Sequence, residues 1–262
     1  MANAHGSFIW YELLTKDAKA AKAFYDAVVG WNIQAEAPPG GMDYRMIETS
    51  DGQAGGVMQL NADMLAGGAR PTWLGYIGVD DVDASVAAVV AAGGQVHLPA
   101  FDIPGIGRLA MVADPQGVPF YVMRGSSPES STAYQRTGMQ HVSWNELLTP
   151  DDAGALDFYG KVFNIAKVGS MDMGGMGEYS FIANGDSAGE AVGAVMPTPP
   201  GGHPGWFFYF RVPDIDAAKA KVEELGGTVR MGPMEVPGGE WVVSADDPEG
   251  VPFGLVAPGK AG

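Results

Sequence analysis

The feature that most constrains this chain is an internal duplication. Trp10–Asn32 and Trp144–Ala166 align without a gap and are identical at ten of twenty-three positions. The correspondence then continues in order. VDDVDASVAAVVAAGGQV (Val79–Val96) matches VPDIDAAKAKVEELGGTV (Val212–Val229), and IPGIG (Ile103–Gly107) matches VPGGE (Val236–Glu240). DPQGVPF (Asp114–Phe120) matches DPEGVPF (Asp247–Phe253). A repeat this long means that one structural unit is built twice. Between the copies, Gly125–Thr137 is polar and rich in Ser and Thr, so it reads as a connecting segment with little to bury. The expected organisation is a first domain at residues 1–125, a linker at 126–137 and a second domain at 138–262.

Each copy contains a finer half-repeat. In the first, SFIWYELLT leads into Asp17 and a helix ending near Val29, followed by strands near Trp31–Glu36, Asp43–Glu48 and Gly55–Leu60. TWLGYIGV then leads into Asp80 or Asp81 and a helix that stops before Gly93-Gly94. Strands near Gln95–Leu98, Arg108–Ala113 and Pro119–Met123 complete the copy. Asp17 and Asp151 suit helix N-caps, because a carboxylate accepts from the free amides of a first turn. After Asp151, Ala155, Leu156, Tyr159, Val162 and Phe163 fall on one helical face. Asp114–Gly117 and Asp247–Gly250 suit tight turns between strands. Each copy is therefore βαβββ taken twice, an α+β fold.

Composition excludes several function classes. The net charge of −16 is wrong for a phosphate-binding surface. The chain has no cysteine, which removes disulfides, thiolate nucleophiles and thiolate metal ligands. No apolar run reaches the roughly 18 residues of a membrane span. The first residues lack the basic and apolar regions of a secretory signal, so the expectation is a cytoplasmic protein, monomeric or homodimeric, with no nucleic-acid or membrane partner. Gly40-Gly41, Gly67-Gly68 and Gly201-Gly202 lack the Lys-Ser/Thr context of phosphate loops and read as turns.

The βαβββ–βαβββ order resembles the vicinal-oxygen-chelate superfamily of glyoxalases, bleomycin-resistance proteins and dioxygenases. The resemblance rests on three features seen twice. They are F-Y-x-x-V near the first helix end, V-D-D-V-D-A or V-P-D-I-D-A at the second helix start, and D-P-x-G before the last strand. The tandem arrangement is similar to that of a mycobacterial antigen group of glyoxalase-like proteins. The resemblance implies that the paired units curl their mixed sheet into a cup that binds a small molecule, and in many members a divalent metal. The implied chelating positions fall on Trp10, Gln59, Leu74 and Tyr121 in the first copy and on Trp144, Pro197, Phe207 and Gly254 in the second. An indole, alkyl groups and a glycine are not metal ligands of the usual kinds, so no metal residues and no cofactor are predicted. A divalent metal is implied by the resemblance alone.

Strand alternation places Trp10, Glu12 and Leu14 on one face, and Trp144, Glu146 and Leu148 on its counterpart. In the superfamily's register that face looks into the cup. A glutamate beside an indole is partly desolvated, which raises its pKa and suits a general base or an acceptor for a ligand. The candidate catalytic residues are Glu12 and Glu146, and the candidate ligand-binding residues are Trp10, Gln59, Tyr121 and Trp144. The structural alternative is that each glutamate is satisfied by an arginine or by backbone amides. The four histidines lack paired ligand spacing and read as surface or hydrogen-bonded groups. Two functions fit this set. One is a metal-independent lyase, isomerase or dioxygenase-like enzyme acting on a small carbonyl or aromatic compound. The other is a non-catalytic protein that sequesters a ligand or antibiotic.

Overall fold

The computed structural model describes residues 3–185 and 189–259, so the outermost residues of the two expected domains lie outside it. The first copy begins with strand β1 (Phe8–Thr15), helix α1 (Ala18–Val29), β2 (Asn32–Ile33), β3 (Tyr44–Glu48) and β4 (Gln53–Gln59). A short helix α2 (Ala62–Ala66) follows, then β5 (Thr72–Gly78), α3 (Val82–Ala91), β6 (Gln95–Ile103), β7 (Gly107–Ala113) and β8 (Pro119–Gly125). The second copy repeats the order with β9 (Val142–Thr149), α4 (Asp152–Phe163), β10 (Ile165–Asp172), β11 (Glu178–Asn184) and β12 (Gly193–Pro197). It closes with β13 (Gly205–Arg211), α5 (Ile215–Glu224), β14 (Thr228–Glu235), β15 (Trp241–Asp246) and β16 (Pro252–Ala257).

Two eight-stranded mixed sheets result, with strand orders β2-β3-β4-β1-β5-β8-β7-β6 and β10-β11-β12-β9-β13-β16-β15-β14. The first strand of each half-repeat pairs in parallel with the last strand of that half, as β1 does with β4 and β13 with β16. The α+β class read from the sequence is the class observed.

Local chemistry sets the helix ends. The Asp17 carboxylate accepts from the amides of Lys19 and Ala20, both at 3.0 Å, and Gly30 at φ +84° ends α1. Asp151, Asp81 and Asp214 cap the other long helices in the same way. Asn164, at φ +57°, ends α4 where the first copy uses glycine, one of few non-glycine residues that tolerate that backbone region. On α4, Ala155, Tyr159, Val162 and Phe163 are buried as the sequence reading has them, but Phe158 is buried in place of Leu156, which is only half-buried. Strand β6 runs five residues past its expected end. Two register shifts against β7 carry it past Pro99, which has no amide to donate there.

Contacts divide the chain into two compact units that do not follow the repeat. One holds Met1–Ile9, Leu74–Ser131 and Trp144–Trp206; the other holds Trp10–Trp73, Thr132–Ser143 and Phe207–Gly262. Each unit thus combines half of one copy with half of the other.

The core of the first unit is aromatic, with Phe120 packed on Tyr159 and Phe163 at 5.6 and 5.5 Å between ring centroids. Beneath these rings, the Trp206 indole donates to the Tyr159 hydroxyl at 3.0 Å, and that hydroxyl donates to Asp114 Oδ2 at 3.2 Å. Asp114 Oδ1 accepts the amides of Gln116 and Val118, both at 2.9 Å, which builds the D-P-x-G turn. The second unit holds the same construction from the equivalent residues of the repeat. Trp73 donates to Tyr25 at 3.0 Å, Tyr25 donates to Asp247 at 3.1 Å, and Asp247 Oδ1 accepts from Glu249 and Val251. Around it Trp31, Trp73, Phe210 and Phe253 pack edge to face. Burial raises the carboxyl pKa of Asp114 and Asp247 and pushes both tyrosines well above the usual phenol range.

The expected linker is anchored more firmly than its polarity implies. Ala133 is fully buried, and Arg136 pairs with Glu240 at 2.7 Å. Glu240 also takes Arg211 at 2.5 Å. Burial opposes the charge on Glu240, and the hydrogen bonds from Arg136 and Arg211 outweigh it and hold the carboxyl below its ordinary range.

Candidate functional site

In the first unit, β9 carries Trp144 and Glu146 on one face, while Asn145 and Leu147 turn to the other and are fully buried. Ala194 of β12 is the cross-strand partner of Glu146. From β11, Tyr179 places its hydroxyl between the two. The Trp144 indole donates to Tyr179 Oη at 2.8 Å, and Tyr179 Oη donates to Glu146 Oε2 at 2.7 Å. The direction of this chain follows from its first member. An indole nitrogen can only donate, so the hydroxyl accepts from it and turns its own proton toward the carboxylate. Phe181 stands edge-on to both rings, 6.2 Å from Trp144 and 5.5 Å from Tyr179. Glu146 is 8% exposed, and its carboxylate is bonded to the Tyr179 hydroxyl.

The same unit carries an aromatic row on β5 to β8. Tyr76 and Tyr121 are direct cross-strand partners and stack at 4.4 Å with planes 19° apart. The register continues the row through Met111 to Leu98 on the edge strand, where Leu98 is exposed. Leu74, an implied chelating position, is buried. An open groove of about 520 Å³ lies elsewhere in this unit, lined by residues of α3 and α4 such as Ala88, Ala91, Asp157 and Lys161. None of Trp144, Glu146 or Tyr121 borders it.

In the second unit, β1 repeats the pattern. The Trp10 indole donates to Tyr44 Oη at 2.7 Å, and Glu12 is 1% exposed. The cross-strand partner of Glu12 is Gly56 on β4. A Cβ on Gly56 would collide with the hydroxyl and Cζ of Tyr44, so the tyrosine lies directly over this glycine. Gln59, at the end of β4, points its carbonyl oxygen to the Ala18 amide at 3.2 Å, in the first turn of α1. Across β13 to β16 the row reads Tyr209, Gly254, Ser244 and Met231. The Tyr209 ring occupies the space that a side chain at Gly254 would need.

The donor set does not fit a divalent cation. The implied chelating positions hold two indoles, a leucine, a phenyl ring, a phenol, a proline, a glycine and one amide already bound to a helix amide. Among the described residues, no group of three or more His, Asp or Glu could hold a metal ion. His141 is fully buried in the second unit, with Nε2 2.8 Å from Asp51 Oδ1 and close to Thr49 and Gln135, so it is bonded rather than exposed. The hydrogen bond from His141, with one from Thr49, lowers the Asp51 carboxyl pKa.

The W-x-E pattern marks the Trp and Glu of each copy, whereas Tyr44 and Tyr179 were not singled out from the sequence. The signal was present. A tyrosine lies 34 residues after the first tryptophan in one copy and 35 after it in the other.

The glyoxalase/bleomycin resistance protein/dioxygenase superfamily model matches residues 7–122 and again 138–255. "Putative glyoxylase CFP32" of Mycobacterium tuberculosis is 35% identical over 249 residues, 95% of this chain and 94% of the relative. "Anthracycline biosynthesis protein DnrV" of Streptomyces peucetius is 30% identical over 269 residues, 97% of this chain and 94% of the relative. The Mn(II)-bound glyoxalase from Novosphingobium aromaticivorans has the same fold, with a TM-score of 0.64, 18% identity and coverage of 97% of this chain and 83% of that one. With the matched repeats and two eight-stranded βαβββ sheets, the chain belongs to the Glyoxalase/Bleomycin resistance protein/Dioxygenase superfamily.

Proposed function

We propose that this protein binds a small carbonyl or aromatic compound and acts on it as a lyase or isomerase without a resident metal, using Glu146 and Glu12 as general bases. The observation that carries the reading is the chain from Trp144 through Tyr179 to Glu146, whose first link recurs from Trp10 to Tyr44 beside Glu12. A carboxylate held in a water-poor aromatic setting takes a proton from an acidic carbon next to a carbonyl. It returns that proton to a neighbouring atom in an isomerisation, or keeps it while a leaving group departs in an elimination. Such general-base catalysis contributes about 10²–10⁴ in rate. The protein works in the cytoplasm, as a monomer or homodimer, with a small molecule as its partner.

The test is turnover by the full chain across small aromatic ketones and α-oxo aldehydes. Glu146→Gln and Glu12→Gln should each remove activity belonging to their own copy, and the double variant should be inactive. Unchanged turnover in the double variant would remove both residues from the mechanism.

A second reading is sequestration without chemistry, and the stacked Tyr76–Tyr121 pair favours it as a flat apolar platform. The relative named for anthracycline biosynthesis makes polycyclic aromatics a ligand class to include. Recovery of unchanged ligand after saturating binding selects this reading.

A further inference from the structure

We propose that Tyr179 is a positioning residue for Glu146. The Trp144 indole fills the acceptor side of its hydroxyl, so the phenol proton is directed to Glu146 Oε2 and holds the carboxylate in place. The inference rests on the reading of Glu146 as the acid of the site, and it adds two residues on which the action of that acid depends.

Three observations carry it. The first is the order of donors. Indole to phenol at 2.8 Å and phenol to carboxylate at 2.7 Å form a chain with one sense only, because its first member cannot accept. A carboxylate at the end of such a chain is tethered through the oxygen that accepts the phenol proton. The second is the wall behind it. Phe181 stands edge-on to both Trp144 and Tyr179, so neither ring can swing away without losing ring contacts. The third is the second copy of the device. On β1 and β3, Trp10 donates to Tyr44 at 2.7 Å, and Tyr44 lies over Gly56, the cross-strand partner of Glu12. Ala194 holds the register position of Gly56 in the other copy, and the same indole-to-phenol bond is kept there. A purely space-filling tyrosine would not need its hydroxyl under an indole twice.

The experiment is a pH titration of the full chain labelled with ¹⁵N-tryptophan, read on the indole N–H resonances. The Trp144 resonance should move as Glu146 gains its proton, because protonation changes the bond that Tyr179 donates and so the bond that Tyr179 accepts. Glu146→Gln should shift this resonance at neutral pH and abolish its response, and Tyr179→Phe should abolish the response while leaving the ring in place. Trp206, which donates to Tyr159 in the same unit, reports that the variant is folded. If Tyr179→Phe collapses the Trp206 signal, the Glu146→Gln spectrum decides alone. A Trp144 resonance identical in wild type and Glu146→Gln, or one that keeps its response in folded Tyr179→Phe, would overturn the proposal. No ligand or turnover enters this measurement, so its failure is separate from failure of the functional reading.

Discussion

At the scale of single residues, two pairs of buried carboxylates are held in different ways. Glu12 and Glu146 sit on first strands beside an indole, and alternation along W-x-E makes that arrangement legible in the sequence. Asp114 and Asp247 are different, because their partners are Tyr159 and Tyr25, each from the other copy. The D-P-x-G and F-Y motifs were visible, but nothing local says that one motif's carboxylate serves the other copy's tyrosine. Tyr25→Phe strands both the Trp73 donor and an Asp247 acceptor, and should cost about 1–3 kcal/mol in urea unfolding. The pH sign is also fixed. Burial raises the Asp114 and Asp247 carboxyls above their unfolded values, so both penalise the fold at neutral pH. The penalty is relieved as pH falls through the folded pKa and is gone below the unfolded one. Relative to Asp114→Asn, the wild type should therefore gain stability as pH is lowered from 7 toward 4. A flat difference between the two across that range would show that the carboxyl is not perturbed.

At the scale of elements, helix starts were the most legible feature, because an aspartate followed by an apolar period has a local cause. Asp17→Ala removes the acceptor for two first-turn amides and should lower stability by about 1 kcal/mol, seen as a lower urea midpoint with an unchanged slope. The helix face and the edge strand were less legible. Leu156 and Phe158 both fit an apolar stripe, and only tertiary packing selects Phe158 for the core. Strand β6 continues past Pro99 because bulges absorb the proline, which periodicity cannot foresee. The connecting segment was read as polar and loose. Its Arg136 pairs instead with a glutamate 104 residues away, a contact invisible to composition.

At the scale of the whole molecule, the duplication gave the architecture and the compact units subdivided it differently. Repeats are read from sequence similarity, whereas compactness is decided by which faces pack together. Each unit draws its aromatic core from both copies, as in Phe120 with Tyr159 and Phe24 with Phe253. Residues 1–125 and 138–262 made as separate chains should therefore each lack a cooperative thermal transition, and mixing them should restore one. Two independent sharp transitions from the separate halves would show that each copy folds alone.

The central claim is that the protein binds its ligand without a bound metal and that the two glutamates act as bases on the bound molecule. Its most direct test is ligand-induced thermal stabilisation of the full chain, with 2-acetonaphthone and acetophenone as probes, before and after chelation. A ligand at 100 times its Kd stabilises the native state by about 2.7 kcal/mol, enough to raise Tm by several degrees. The prediction is that stabilisation survives chelation and persists in the Glu12→Gln, Glu146→Gln double variant, which no longer exchanges the probes' α-protons with solvent deuterium as the wild type does. Stabilisation that vanishes on chelation, or α-proton exchange that persists undiminished in the double variant, would contradict it.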